Sequence, residues 1–219
     1  MTLKKNILKL FGFEKPTIIQ MVSRRFEIFY DKLYGLDFLS VIPLEVLGLD
    51  SSVVVQGSPS GNKFLFKVLN DVFIDSDDSI LDIGCAKGSA LKYFAKFPFN
   101  KVHGLELSKT LVQICRKNFN ILKKNNVKVF HENATNFKHY NEYNFFYLYN
   151  PYPKEVMKKF VVCLKKQILN KEIIIIYNNP VCHNVLITNG FVLIKKYPDM
   201  WGNGIFVYSN KKNSSRLKK

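Results

Sequence analysis

From residue 79 onward, short apolar runs alternate with longer segments whose apolar residues recur at helical spacing, and this alternation limits the possible folds more than any other feature. Residues 79–83, 101–106, 127–131, 144–149 and 171–178 read as strands, with helices expected over 88–97, 108–125 and 153–168. The order predicts an α/β fold, a mostly parallel sheet with helices on both faces. Between 131 and 144 the connection is short and polar, with one helical turn expected around Ala134 to Phe137. Pro180 then opens a short helix to Thr188, and Gly190 leads into a strand at 191–196. Gly202-Asn203-Gly204 turns the chain into a last strand at 205–209, so the sheet should end in an antiparallel hairpin.

Before residue 79 the spacing predicts helices near 3–10, 15–34 and 62–74, with irregular chain over 35–61 around Pro43, Gly48, Gly57, Pro59 and Gly61. A chain of 219 residues fits one α/β domain with an extension. Three parts are expected: an N-terminal helical extension over 1–74 acting as a lid or flank, a ligand-binding domain over 75–210, and a basic, disordered tail over 211–219. Ser60 and Asn62 are candidate caps for the helix near 62, whose N-terminus would suit an anionic group.

Cys85, Cys115, Cys163 and Cys182 are scattered singly, with no paired spacing and no clustered histidine, so neither a metal site nor a disulfide framework is expected. A cytoplasmic protein is the expectation, since no apolar run is long enough to span a bilayer and residues 1–13 lack a signal-peptide core. Leu3, Ile7, Leu8, Leu10 and Phe11 would make an apolar side suited to packing on the domain, with peripheral membrane contact the lesser alternative.

Thirty-three Lys and Arg against seventeen Asp and Glu leave a net charge of +16. That surplus admits nucleic acid or a phosphorylated substrate as a partner. Its distribution favours ordinary solvated faces: Lys109, Arg116, Lys117, Lys123 and Lys124 share one flank of a predicted helix, and Lys154, Lys158, Lys159, Lys165 and Lys166 another. Sequence leaves the oligomeric state open.

The residues with chemistry cluster at predicted strand ends. A strand closing on Asp82, followed by Gly84 and Gly88 and then a helix, allows a nucleotide-like ligand to approach the backbone closely. Glu106 ends the next strand, placed to receive two ribose hydroxyls. The spacing Gly84-x-x-x-Gly88 does not satisfy a GxGxxG fingerprint, which disfavours NAD and FAD.

The stretch Ile80-Leu81-Asp82-Ile83-Gly84-Cys85-Ala86-Lys87-Gly88 resembles motif I of the class I S-adenosylmethionine-dependent methyltransferases, with Ala86 where the commonest form has a second glycine. The resemblance runs over roughly residues 75–209 and implies their Rossmann-like sheet, mostly parallel with a C-terminal antiparallel hairpin. It further implies S-adenosyl-L-methionine as cofactor, held by Asp82, Gly84, Cys85, Ala86 and Gly88 around the methionine part, by Glu106 at the ribose and by Leu107 at the adenine. Asn133-Ala134 looks like the family's Asp-Ala pair, and the asparagine can still accept a hydrogen bond from the adenine amino group.

At the end of the fourth strand, Asn150-Pro151-Tyr152-Pro153 is similar to the Asn/Asp-Pro-Pro-Tyr/Phe motif of amino-group methyltransferases. It is locally similar to the Asn-Asn-Phe motif of non-SET histone lysine methyltransferases and to bacterial methyltransferase-domain proteins reading Tyr-Asn-Pro-Phe. The resemblance makes Asn150 and Tyr152 the catalytic candidates, Asn150 also bordering the cofactor: an Asn150 carbonyl would aim an attacking group, and Tyr152 would stack on substrate or cofactor. His183 is an outside candidate for a base, and Cys85 reads as filler. The expected reaction is methyl transfer to a nitrogen or oxygen, with a small metabolite or a sugar or phosphorylated precursor preferred as substrate. The alternatives are a nucleic-acid or protein substrate, or a binding module without catalysis.

Overall fold

The computed structural model describes residues 18–168, 171–199 and 202–217, with side chains from Arg25 onward. The helix expected over 3–10 and the apolar side of residues 1–13 lie outside the described residues. Among the described residues, strands β1 (Ser79–Ile83), β2 (Lys101–Glu106), β3 (Val127–His131), β4 (Phe145–Tyr149), β5 (Ile174–Asn178), β6 (Val192–Tyr197) and β7 (Ile205–Ser209) form one sheet in the order β3-β2-β1-β4-β5-β7-β6. The first five are parallel, and β7 runs antiparallel between β5 and β6, as the alternation and the terminal hairpin predict.

Burial explains which segments became which strands. β1 and β5 are buried along their whole length, as expected of central parallel strands covered on both faces, and they read as unbroken apolar runs apart from Ser79, Asp82 and Asn178. The edge strands β3 and β6 are only partly covered, and β6 carries Lys195 and Lys196 on the open edge, which discourages pairing with another chain.

The helices are α1 (Ile18–Leu33), α2 (Leu44–Leu47), α3 (Lys63–Asp71), α4 (Leu91–Phe94), α5 (Lys109–Ile121), α6 (Lys154–Gln167) and α7 (His183–Thr188). On one sheet face, Leu65 and Val68 of α3, Phe94 of α4 and Cys115 and Phe119 of α5 pack with Ile80, Val102 and Tyr147. On the other, Met157, Phe160 and Leu164 of α6 and Leu186 of α7 pack with Leu81, Phe146 and Ile175.

Several boundaries differ from expectation. The helix expected over 88–97 shrinks to α4, because Gly88 is left-handed (φ 86°) and the residues up to Ala90 form the loop. Ala134 to Phe137 form a turn, and a 3-10 turn follows at Tyr140–Glu142. Leu44–Leu47 make a short helix in chain expected to be irregular. Asn62 caps α3, its Oδ1 accepting from Phe64 N (2.9 Å) and Leu65 N (3.1 Å).

The tail differs most. Residues 211–217 are placed, and Arg216 is their anchor. Its carbonyl accepts from Phe73 N at 2.7 Å and its Nη1 lies 2.9 Å from Asp78 Oδ2, while Leu217 bridges Val72. Asp78 is buried and also accepts from Asn144 Nδ2, so Arg216 supplies the counter-charge that a buried carboxylate needs. A basic tail is therefore held where sequence composition alone suggested disorder.

Candidate functional site

The strand order reverses between β1 and β4, and in open α/β sheets such a switch point opens a crevice beyond the carboxyl ends of the strands. A cleft lies there. It is open to solvent, with about 910 Å³ of space between its walls and across its mouth. Its floor is Asp82, Gly84, Cys85 and Ala86 at the end of β1 with Glu106 and Leu107 at the end of β2. Tyr149, Pro151 and Tyr152 close the β4 side, and residues between Phe38 and Ser60 form the opposite wall.

Loop geometry accounts for the sequence from 84 to 88. Gly84 is left-handed (φ 76°), and a Cβ there would come within 3.1 Å of Pro151. Ala86 is left-handed as well (φ 46°), a conformation that costs a non-glycine residue energy and explains why glycine is the commoner choice at this place. The strain is held by Glu106. Its Oε2 accepts from Ala86 N at 3.0 Å and its Oε1 from Ser108 N at 2.8 Å. A carboxylate has about four acceptor directions, so two remain for ligand hydroxyls.

Both carboxyls are strained electrostatically. Burial raises the Asp82 pKa well above the carboxylate range, and the nearby Glu106 charge adds to it. Burial also raises Glu106, against the lowering effect of its backbone hydrogen bonds. Two buried acids without a cation between them are costly, and an ammonium or sulfonium in the cleft would relieve them.

The wall from Phe38 to Ser60 is pinned by a contact that local sequence reasoning missed. Lys87, inside the glycine loop, is buried and places its Nζ 2.6 Å from both Asp37 Oδ2 and Ser40 Oγ. Burial would raise the Asp37 pKa, but the hydrogen bonds from Lys87 and Ser40 and the lysine charge leave it lowered. Buried Asn118 of α5 ties both backbones, its Nδ2 donating to Asp37 O (3.0 Å) and Lys87 O (3.1 Å) and its Oδ1 accepting from Asp37 N (2.9 Å).

At the end of β4, Asn150 is left-handed (φ 40°), a conformation asparagine tolerates, and the turn brings Pro151 and Tyr152 into the cleft wall. The Asn150 side chain itself is turned away: its Oδ1 lies 3.4 Å from the Tyr177 hydroxyl, and it is not part of the cleft lining. A second asparagine is buried at the end of β5. Asn178 donates from Nδ2 to the Tyr147 hydroxyl at 3.1 Å, and the buried Asn178 Oδ1 has no partner among the described residues.

Of the residues singled out from sequence, Asp82, Gly84, Cys85, Ala86, Glu106, Leu107 and Tyr152 come together around the cleft. Gly88, Asn133, Ala134 and Asn150 lie outside its lining. Gly88 instead allows close packing, since a Cβ there would sit 2.6 Å from Cys115 Sγ and Phe119. Asn133 Oδ1 accepts from Thr135 N and Thr135 Oγ1, both at 2.9 Å, and Ala134 is buried. The Cys85 thiol is raised well above its ordinary pKa by burial and by Cys115, which makes it a poor nucleophile. His183 Nδ1 is 2.8 Å from the Tyr208 hydroxyl and is not part of the cleft lining.

A parallel sheet ending in an inserted antiparallel hairpin, with paired acids at the ends of β1 and β2, is the fold of the class I S-adenosylmethionine-dependent methyltransferases. Residues 80–167 match the family described as a methyltransferase domain. Among solved structures, the chain is similar to a SAM dependent methyltransferase from Aquifex aeolicus, at 18% identity and a TM-score of 0.52, over 66% of this chain and 87% of that one. It is also similar to an RNA methyltransferase from Salinibacter ruber in complex with S-adenosyl-L-homocysteine, at 14% identity and a TM-score of 0.53, over 74% and 99%. An amino pentose methyltransferase from Micromonospora echinaspora aligns at 12% identity and a TM-score of 0.50, over 67% and 87%. These likenesses are of fold. A search of curated proteins finds no match, and no described helix is long and apolar enough to cross a membrane.

Proposed function

We propose that this chain methylates a nitrogen or oxygen of a small acceptor, a metabolite or a sugar or phosphorylated precursor, seated against Tyr149, Pro151 and Tyr152. The observation that carries the reading is the cleft in which the buried acids Asp82 and Glu106 face that aromatic wall. When bound, S-adenosylmethionine supplies an electrophilic methyl group on a sulfonium. The residues present fit it: Asp82 suits the cationic methionine end, Glu106 keeps two acceptor directions for the ribose, and Leu107 offers an apolar edge to the adenine.

Transfer of a methyl group needs in-line placement more than a strong base. On this reading Asn150 is a positioning residue. Its left-handed backbone sets Pro151 and Tyr152, and the half-buried Tyr152 ring confines the acceptor and excludes water. The amino pentose enzyme of the same fold supports a small acceptor.

Calorimetry with S-adenosylhomocysteine tests the cofactor site. Native protein should bind, and Glu106→Ala should weaken binding about 10- to 100-fold, the worth of charge-assisted hydrogen bonds. Undiminished binding by the variant would refute the assignment. The surplus of 33 Lys and Arg over 17 Asp and Glu, together with the Salinibacter RNA enzyme, favours a second reading, methylation of nucleic acid. Methyl incorporation into total RNA that falls steeply with added salt would select it over a small acceptor.

A further inference from the structure

Helix α3 presents a solvent face whose make-up differs from that of the other basic faces. Leu65, Val68 and Leu69 are buried, which leaves Lys63, Phe66, Lys67 and Asn70, at i, i+3, i+4 and i+7, exposed along the other side. Phe66 is 41% exposed, and its ring lies 5.5 Å from that of Phe97, which follows α4 in the chain. Lys96, next to Phe97 in sequence, sets its Nζ 5.1 Å over the Tyr93 ring. Tyr93 in turn lies against the start of α3, since a Cβ on Gly61 would come within 2.6 Å of it. The two segments thus form one surface, an aromatic pair bordered by three lysines.

Charge selects the occupant. Among the described residues, none of Lys63, Lys67 and Lys96 is paired with a carboxylate. Lys63 rests 5.3 Å over the Phe64 ring, and Asp71, the acid of α3, is taken by Lys195 of β6 at 3.2 Å. Glu27 of α1 acts on Tyr93 and has an interaction of its own. An ammonium held over a ring keeps its charge and its donors for an outside anion. The faces of α5 and α6 carry cations but expose no aromatic ring, whereas α1 exposes rings but sets Arg24, Arg25 and Lys32 among Glu27 and Asp31. We propose that the face of α3 and its neighbour Phe97 binds single-stranded nucleic acid, with bases stacked on Phe66 and Phe97 and phosphates on the three lysines. A single strand offers base faces that a duplex hides, and stacking on an aromatic ring serves any base. An anionic bilayer would meet the same charge, but insertion needs apolar side chains that project, and Phe66 is more than half covered while Phe97 is half-buried.

None of these residues lines the cleft, so binding on this face does not depend on which acceptor the cleft takes. Fluorescence anisotropy of a labelled oligouridylate about a dozen nucleotides long, titrated with the full chain at low salt, tests the proposal. Native protein should bind, and Phe66→Ala should weaken binding about tenfold, the worth of one stacked base, with Phe66→Tyr restoring it. Lys63→Gln with Lys67→Gln should reduce the slope of log affinity against log salt by about 1.4, since each phosphate contact on a single strand contributes ~0.7. Circular dichroism should be unchanged in every variant, and Lys158→Gln with Lys159→Gln on α6 should leave the affinity within about twofold of native. A native chain that does not bind the oligonucleotide would overturn the proposal, as would binding indifferent to Phe66→Ala, or a duplex of the same length competing equally well. So would vesicles of phosphatidylserine held through Phe66 more tightly than the oligonucleotide, which would make the face a membrane site.

Discussion

The buried acids at the ends of β1 and β2 set the character of the site. Asp82 is raised by burial first and by Glu106 second, so the folded protein holds its proton to higher pH than the unfolded chain does. For an acid raised on folding, stability is fully present below the unfolded pKa and is lost as pH rises through the folded pKa. Asp82→Asn should therefore raise the melting temperature of the ligand-free protein at pH 8 and leave it nearly unchanged near pH 4, as thermal denaturation across pH would show. The same variant should weaken S-adenosylhomocysteine binding, because the ligand ammonium loses its counter-charge. The two effects of opposite sign separate a functional strain from a structural one. Glu106 was legible in the sequence because its place, at the end of the strand after the glycine loop, is fixed by the alternation. Lys87 was not. Its partner Asp37 lies 50 residues upstream, and no local spacing reports a contact between a loop and an irregular segment.

At the scale of elements, the segment from Gly35 to Asn62 is the unexpected part of the molecule. Sequence punctuation by Pro43, Gly48, Gly57 and Pro59 pointed to loop, and much of it is irregular chain, yet it is held as a wall. Lys87, Asp37, Ser40 and Asn118 pin one end, and Val55 N donates to Pro151 O at 3.0 Å across the cleft. Asp37→Ala would leave the Lys87 ammonium buried without its counter-charge. Because Asp37 is partly exposed, the expected loss is about 2 kcal/mol, below the usual cost of breaking a fully buried pair. Urea denaturation measures that loss, and limited proteolysis should show new cleavage within residues 37–60, suppressed again by S-adenosylhomocysteine. The strands and their order followed from the apolar runs, since buried parallel strands differ in composition from everything around them. Helix ends were less legible where, as in the glycine loop before α4, they depend on backbone angles that periodicity does not encode, although the Asn62 cap of α3 could be read from its residue type.

For the whole molecule, the C-terminus closes the end of the sheet opposite the cleft. Arg216 reaches buried Asp78 just ahead of β1, joining residues separated by 138 positions. Arg216→Ala, or truncation after Asn213, should cost about 2–4 kcal/mol, read as a lower urea midpoint with an unchanged slope. The same tail predicted to be disordered thus contributes to the start of the central strand. Its composition gave no warning, since one arginine among four lysines looks like any solvated end. The insertion of β7 between β5 and β6 has a consequence for biosynthesis. β6 is made before β7 yet has no neighbour until β7 arrives, and until residue 209 is available β5 presents a bare row of amides and carbonyls. The nascent chain thus stays sticky until its last strand is made, and prematurely terminated products should be the species that chaperones must catch.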